Sequence, residues 1–453
     1  MSPDGAADPR GRWRRAFATY GRPRIAGMLA LGFSAGLPYL LVFTTLTAWL
    51  TEAGVTRSAI GFFSWVGITY SIKVFWSPIV DRVTLPVLGR LLGQRRSWML
   101  LAQLLIVAGL LGMAFTDPGT HLRNMALFAL LVAFGSATQD IAIDAWRIEA
   151  APVQEQAAMS STYVFGYRIA LMVAGAGALF LAARMAWTDV YLIMALLMGV
   201  GVAATLLSRE PQVRRTSDAV FLEQRVQDYL AASQHTPAVL RNAVAWFIGA
   251  VVCPFVDFFK RHGLHALGIL LLVGAFRISD ISMGAMANPF YLDLGFSKDQ
   301  IAAVAGVYGV LMTILGGLAG GLLTVRYGLL PMLLAGAILS AATNLLFAVM
   351  GLVGPETWML VITISGDNFF GGFAMAVFIA WLSSLVSMAY TATQYALLSS
   401  LMTLPGKFIG GFSGVVVDTV GYVQYFVYVA AIGIPAVALC LWLMARRPPV
   451  PER

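Results

Sequence analysis

Apolar runs of about 20 residues, the length a helix needs to cross the hydrocarbon core of a bilayer, recur along the chain between short polar stretches. Six lie at residues 25–49, 58–80, 97–116, 122–145, 158–183 and 188–208. Six more lie at 264–290, 298–325, 329–352, 357–387, 393–417 and 421–444. The pattern predicts an all-α integral membrane protein with twelve transmembrane helices. Its parts are a polar tail over 1–24, a six-helix bundle over 25–208, a linker over 209–263, a second six-helix bundle over 264–444 and a short tail over 445–453. Within the linker, Leu222, Val226, Tyr229 and Leu230 recur at helical spacing and predict an amphipathic surface helix. Residues 243–259 are more apolar, but Pro254 interrupts them and Asp257, Lys260 and Arg261 close them, so they either span or lie flat.

Composition agrees. The chain of 453 residues is 59% hydrophobic and 11% charged, with a mean hydropathy of +0.79, whereas a soluble domain has about a quarter of its residues charged. Forty-five glycines suit close helix packing in lipid, and Cys253 and Cys440 form neither a disulfide framework nor a zinc spacing. A net charge of +8 would suggest nucleic acid as the partner of a soluble protein. Its placement here points to topology, and no nucleic acid, metal or cofactor is expected. Arg10, Arg12, Arg14, Arg15, Arg22 and Arg24 precede the first run without a small-residue cleavage site, which predicts an uncleaved signal anchor. If residues 243–259 lie flat, 22 of the 30 Lys and Arg fall on one side, 4 on the other and 4 inside helices; if they span, the split is 17 to 9. Cytoplasmic loops collect positive residues, so twelve spans with both termini cytoplasmic is the better reading.

A weak internal repeat supports two halves. Ser77 followed by Asp81-Arg82 closes the second predicted helix, Gly321 followed by Val325-Arg326 and Gly328 closes the eighth, and Gly414 followed by Asp418 and Gly421 closes the eleventh. A small residue allows close helix approach, an acid and a base sit at the helix end, and a tight turn follows. This spacing resembles the loop motif of the major facilitator superfamily, although the first copy lacks its glycines and the second has lost its acid. The resemblance implies paired six-helix bundles with a site near the membrane midplane, and a gating role for Asp81, Arg82 and Arg326.

Charges inside apolar helices are costly, and they usually face a bundle interior or a watery cavity where transport takes place. The fourth predicted helix carries Gln139, Asp140 and Asp144, the two acids four residues apart on one face. Asp144, near the helix end, either shares a transport role or simply meets water and Arg147. Lys73 in the second helix either faces the interior or snorkels to the interface. Arg168 in the fifth is the natural partner of the fourth helix's acids, and Arg277 and Asp280 in the seventh either neutralise each other or act on cargo. Asp367 and Asn368 lie in the tenth, and Lys407 in the eleventh. Four bases thus meet four acids, the near balance that a low dielectric requires. An acid that loses its partner during a conformational change can take a proton, so Asp140 first, then Asp280, Asp367 and Asp144, are candidates for proton coupling.

At these residues the chain resembles the AmpG muropeptide permeases and, more distantly, the acetyl-coenzyme A transporters that share the segment Gln139-Asp140-Ile141 with Asp144. The resemblance rests on Leu31 to Pro38, Ile60 to Ser64, Phe75 to Arg82, Asp117 to Thr120, Ser136 to Trp146, Gly166 to Arg168 and Ala392 to Ser399. It implies proton-driven import of N-acetylglucosaminyl-1,6-anhydro-N-acetylmuramic acid and its peptide derivatives across the bacterial inner membrane, which feeds cell-wall recycling and beta-lactamase induction. Such a cargo offers carboxylates to Lys73, Arg168, Arg277 and Lys407, hydroxyls and amides to Gln139 and Asn368, and pyranose faces to Tyr39, Trp65, Tyr163 or Tyr167. Some members of that family continue past twelve helices, whereas this chain ends soon after the twelfth, so the extra spans are not expected to be needed for the core activity. The superfamily resemblance favours a monomer.

Rival functions differ in what they need. A transporter of another anionic metabolite, such as a nucleotide or acyl-coenzyme A, or a drug exporter, would share the fold. A non-transporting sensor would keep the pocket without a protonatable acid. A membrane enzyme finds little support, since His121, His235, His262 and His265 lack metal-ligand spacing and no phosphate-cradling glycine loop is present.

Overall fold

The structure, a computed structural model, describes residues 20–55, 63–211, 248, 252–410 and 412–446. The surface helix expected around Leu222 and Leu230 lies outside the described residues. Every regular element among the described residues is helical. In chain order these are α1 (Pro23–Glu52), α2 in four short pieces (Ser64–Gly67, Ile68–Ser71, Lys73–Phe75 and Ser77–Arg82), α3 (Gln94–Ala114), α4 (Leu122–Ala150), α5 (Val153–Ala182) and α6 (Trp187–Leu207). The second half holds α7 (Ala266–Ala275 and Ile278–Leu294), α8 (Ala302–Tyr327), α9 (Leu329–Val353), α10 (Thr357–Leu385) and α11 (Thr391–Gly410). Gly421 (φ 79°, ψ 167°) interrupts the following stretch Ser413–Arg446. Gly328 adopts nearly the same angles, which only glycine takes without strain, and reverses the chain between α8 and α9. The residues before Gly421 therefore prolong α11 and those after it form α12.

Ten of these stretches are long and apolar enough to cross a membrane. Helices α2 and α11 complete the twelve. Helix α2 was expected as one run and is instead broken into pieces, and at the last break Pro78 lacks the N–H that would bond the Val74 carbonyl. The Ser77 hydroxyl donates to that carbonyl at 3.0 Å in its place. Of the ambiguous run 243–259, residues 253–259 belong to the helix Cys253–His262, while 243–247 and 249–251 lie outside the described residues. Arg261 donates to the Leu385 carbonyl and Gln394 to the Pro254 carbonyl, which ties this helix to the turn between α10 and α11.

Glycines set the helix spacing inside each half. A Cβ on Gly166 of α5 would strike the Leu29 carbonyl of α1, and one on Gly372 of α10 would strike the Thr313 carbonyl of α8. Such backbone proximity replaces, in lipid, the hydrophobic drive that packs helices in water. Among the described residues, the core clusters that draw on both halves lie at one end. That end carries the α2–α3, α4–α5 and α10–α11 turns with Arg82, Arg90, Arg95, Arg96 and Arg147, and is called the arginine-rich end below. There, Ile148 of α4 packs into the core of the second half and Ala392 of α11 into that of the first. At the opposite end each described core cluster draws on a single half. The conformation is thus closed at the arginine-rich end and parted at the other.

Candidate functional site

The closed end is held by Asp81. Its carboxylate accepts the backbone N–H groups of Ala392 at 3.0 Å and Thr393 at 2.7 Å, the Thr393 hydroxyl at 2.7 Å, and Arg95 at 2.8 Å. Three of those donors belong to the N-terminus of α11, where the helix leaves amides unpaired and favours negative charge. Arg95 also pairs with Glu149 at 2.6 Å, so one guanidinium joins α2, α3 and α4. Deeper, Arg147 donates to Ser383 of α10 at 2.9 Å and stands over the Tyr395 ring, 5.3 Å from its centroid. Tyr20 bridges Ser161 of α5 to the Leu318 carbonyl of α8.

Arg82 lies over the Tyr390 ring at 6.0 Å and Arg326 over Tyr327 at 4.9 Å. The third copy of the repeat falls at the opposite end, where Asp418 is exposed. Sequence reasoning picked out Asp81 but missed Arg95, Glu149 and Thr393. The only available signal was that 392–399 is one of the segments carrying the family resemblance.

Above this gate the intramembrane charges form a ladder. At 1.5 Å per residue, Asp144 stands about 9 Å from the arginine-rich end of α4 and Asp140 about 15 Å. Asp144 pairs with Arg147 at 3.3 Å and Asp140 with Lys73 at 3.9 Å. Lys73 does not snorkel; its side chain is only 13% exposed, next to the carboxylate. Arg168 is not the partner of α4's acids as expected. Gly166 faces α1, and Arg168, two residues on, lies within electrostatic reach of Arg277 and Asp280 of the second half.

Arg277 and Asp280 are hydrogen-bonded to each other across one turn of α7, Nε to Oδ2 at 3.0 Å. Asp367 of α10 lies within electrostatic reach of Asp280. No carboxylate among the described residues is within ion-pair distance of Arg168 or of the exposed Lys407. Helix α4 shows where water reaches: Gln139 and Ile141 are buried while Asp140 between them keeps 20% side-chain exposure, and both Arg277 and Asp280 keep 25%. Between Gln139 and Ile141 the open position is thus the charged one, as for intramembrane acids that face a bundle interior.

Gln139 is spoken for. Pro38 of α1 removes the N–H that would bond the Ser34 carbonyl, and the Gln139 amide donates to that carbonyl at 3.0 Å while accepting from the Ser34 hydroxyl at 2.8 Å. Asn368 likewise accepts from Thr313 of α8 at 2.9 Å and donates to the Ile364 carbonyl. Both amides therefore clasp helices together. Among the aromatic candidates, Tyr39 is 38% exposed and packs on Phe43 and Tyr70, and Tyr163 lies 6.3 Å from Tyr167 beside Asp140. The side chain of Trp65 lies outside the described residues.

Two helical halves joined at one end, with paired charges inside the membrane-spanning helices, define a multi-pass membrane transporter. The Major Facilitator Superfamily model matches residues 28–276 and 266–453. The fold is similar to that of the proton:xylose symporter XylE bound to 6-bromo-6-deoxy-D-glucose (TM-score 0.64, 13% identity, 95% of each chain) and of FucP in the outward conformation (TM-score 0.66, 13% identity, 93% of this chain and 99% of that one). In sequence it is 33% identical over 422 residues to "Putative transporter AmpG 4" of Rickettsia felis, covering 93% of this chain and 96% of that protein. It is 34% identical over 422 residues to the anhydromuropeptide permease of Escherichia coli K12, covering 93% and 79%. The chain belongs to the Major Facilitator Superfamily and, within it, to the AmpG-type muropeptide permeases.

Proposed function

We propose that this protein imports anhydro-muropeptides across the bacterial inner membrane in symport with protons, for cell-wall recycling and the signal that induces beta-lactamase. In this reading the arginine-rich end is cytoplasmic, as the distribution of positive residues favours, and the parted end takes cargo from the periplasm. The observation that carries the reading is that Arg168 and Arg277, one from each half, lie within electrostatic reach of each other, with Asp280 hydrogen-bonded to Arg277 and within reach of Asp367. With both acids ionised these four groups are neutral. A cargo carboxylate adds one negative charge, and in a low-dielectric cleft neutrality is restored when one acid takes a proton. Anion and proton then enter together. Lys73 and Asp140 form a second pair nearer the gate, and Asp81 of α2, bound to the N-terminus of α11, holds the cytoplasmic end shut until the loaded halves rock.

Uptake of a defined radiolabelled anhydro-muropeptide into proteoliposomes, with and without an imposed inward proton gradient, tests this. Gradient-dependent accumulation is expected, competed by unlabelled muropeptide and not by nucleotides or acyl-coenzyme A. Uptake indifferent to the gradient would remove the symport, and competition by another anion in place of muropeptide would reassign the cargo.

A further inference from the structure

Away from the intramembrane charge pairs, a groove of about 1070 Å³ opens between α1 and α6 at the arginine-rich end. Its size is that of a site for a substantial ligand, yet none of the charge ladder lines it. We propose that it binds an anionic phospholipid of the adjoining leaflet, the inner one in the orientation above. The rim carries Arg22, Arg24 and Arg209, and the floor is made of small or apolar positions such as Gly27, Ala30, Ala203 and Leu207. A Cβ on Gly27 would meet nothing within 4 Å, so the floor is open where the two helices part. These floor residues extend as much as about 9 Å below the arginines along α1 and α6, into hydrocarbon depth. A dissolved phosphate has no use for such a floor, whereas a lipid places its headgroup on the rim and its chains along it.

The charge balance fits an anion. Glu155 accepts from both Arg22 and Arg24, which remain 50% and 38% exposed, so two cations share one carboxylate. The acid on the lining, Glu210, accepts from the N-terminal amides of α3 at Arg95 (2.7 Å) and Arg96 (3.1 Å). Arg209 is exposed, and no carboxylate among the described residues pairs with it. Its backbone is fixed at the rim, because the Trp146 indole donates to its carbonyl at 3.0 Å. Basic pockets of this kind between helices on the cytoplasmic side select anionic headgroups, each cation contributing about five-fold.

Native mass spectrometry of the purified full-length protein, offered phosphatidylglycerol or cardiolipin against phosphatidylcholine, tests the proposal without reference to transport. The wild type is expected to retain an anionic lipid in preference. Arg209→Gln should weaken retention about five-fold, and Ala203→Phe, which fills the floor without changing charge, should weaken it as well. A photocrosslinker at position 203 should capture lipid. Equal retention of both lipid classes, or retention unmoved by Ala203→Phe, would overturn the site, and a crosslink to residues 212–247 would give the groove to the chain's own linker instead.

Discussion

Replacing Asp81 by Asn tests the gate with almost no change of shape. Asparagine offers one acceptor oxygen where aspartate offers two. Arg95, a charged donor whose side chain is 7% exposed, keeps that oxygen towards itself and Ala392. The amide nitrogen then faces the Thr393 N–H, so that hydrogen bond between the halves is lost, while the Thr393 hydroxyl turns to accept from the amide and keeps only a bond to a neutral partner. Hydrogen bonds to an ionised partner are worth about 1.5–3 kcal/mol each. Asp81 is 3% exposed, so solvent screens little of it, and even the low figure gives about 1.5 kcal/mol for the lost bond alone. Every 1.4 kcal/mol is tenfold, so the ratio of parted to joined forms at this end should rise by about tenfold or more. Spin labels at exposed Leu91 and Tyr327, one in each half, report the separation after the buried Cys253 and Cys440 are replaced. The variant should move the distance distribution outwards. An unchanged distribution in a folded variant would refute the argument that Asp81 latches α11.

Three further expectations follow from the same geometry. Asp140→Asn leaves Lys73 without its carboxylate at 3.9 Å and should abolish accumulation of cargo while folded protein remains in the membrane; undiminished proton-driven uptake would remove Asp140 from the mechanism. Gly321→Val places a side chain against Tyr20, Ser161 and the Ala157 carbonyl where α5 meets α8, and should wedge the arginine-rich end apart, read by the same pair of spin labels. Gln139→Leu strands the Ser34 carbonyl, at a cost of about 1–3 kcal/mol, and should lower thermal stability in detergent while sparing cargo affinity. A large loss of affinity at unchanged stability would place Gln139 on the cargo after all.

The contrast between Gln139 and Asp140 shows what a sequence can and cannot disclose in such a chain. The cost of polar groups in hydrocarbon made both conspicuous, and it also made the twelve spans countable, because each run had to satisfy its backbone internally. Which of the two faces water depends on α1, whose Pro38 creates a vacancy that Gln139 fills. The proline was visible, but the crossing that brings residues 34 and 139 together was not. Arg168 failed for a related reason: spacing along a helix tells which residues share a face, not which neighbour that face meets. Arg277 and Asp280, three apart on one helix, were therefore legible as a pair, but not as the Arg and Asp within electrostatic reach of Arg168, since they belong to the other half. The gate lay deepest. Arg95 and Glu149 read as ordinary charges at helix ends, and Thr393 as one polar residue among many, until α11 presents its unpaired amides to Asp81. Local rules thus recover what a helix must satisfy within itself, and a contact that exists only while the two halves are joined is a property of one conformation of the fold.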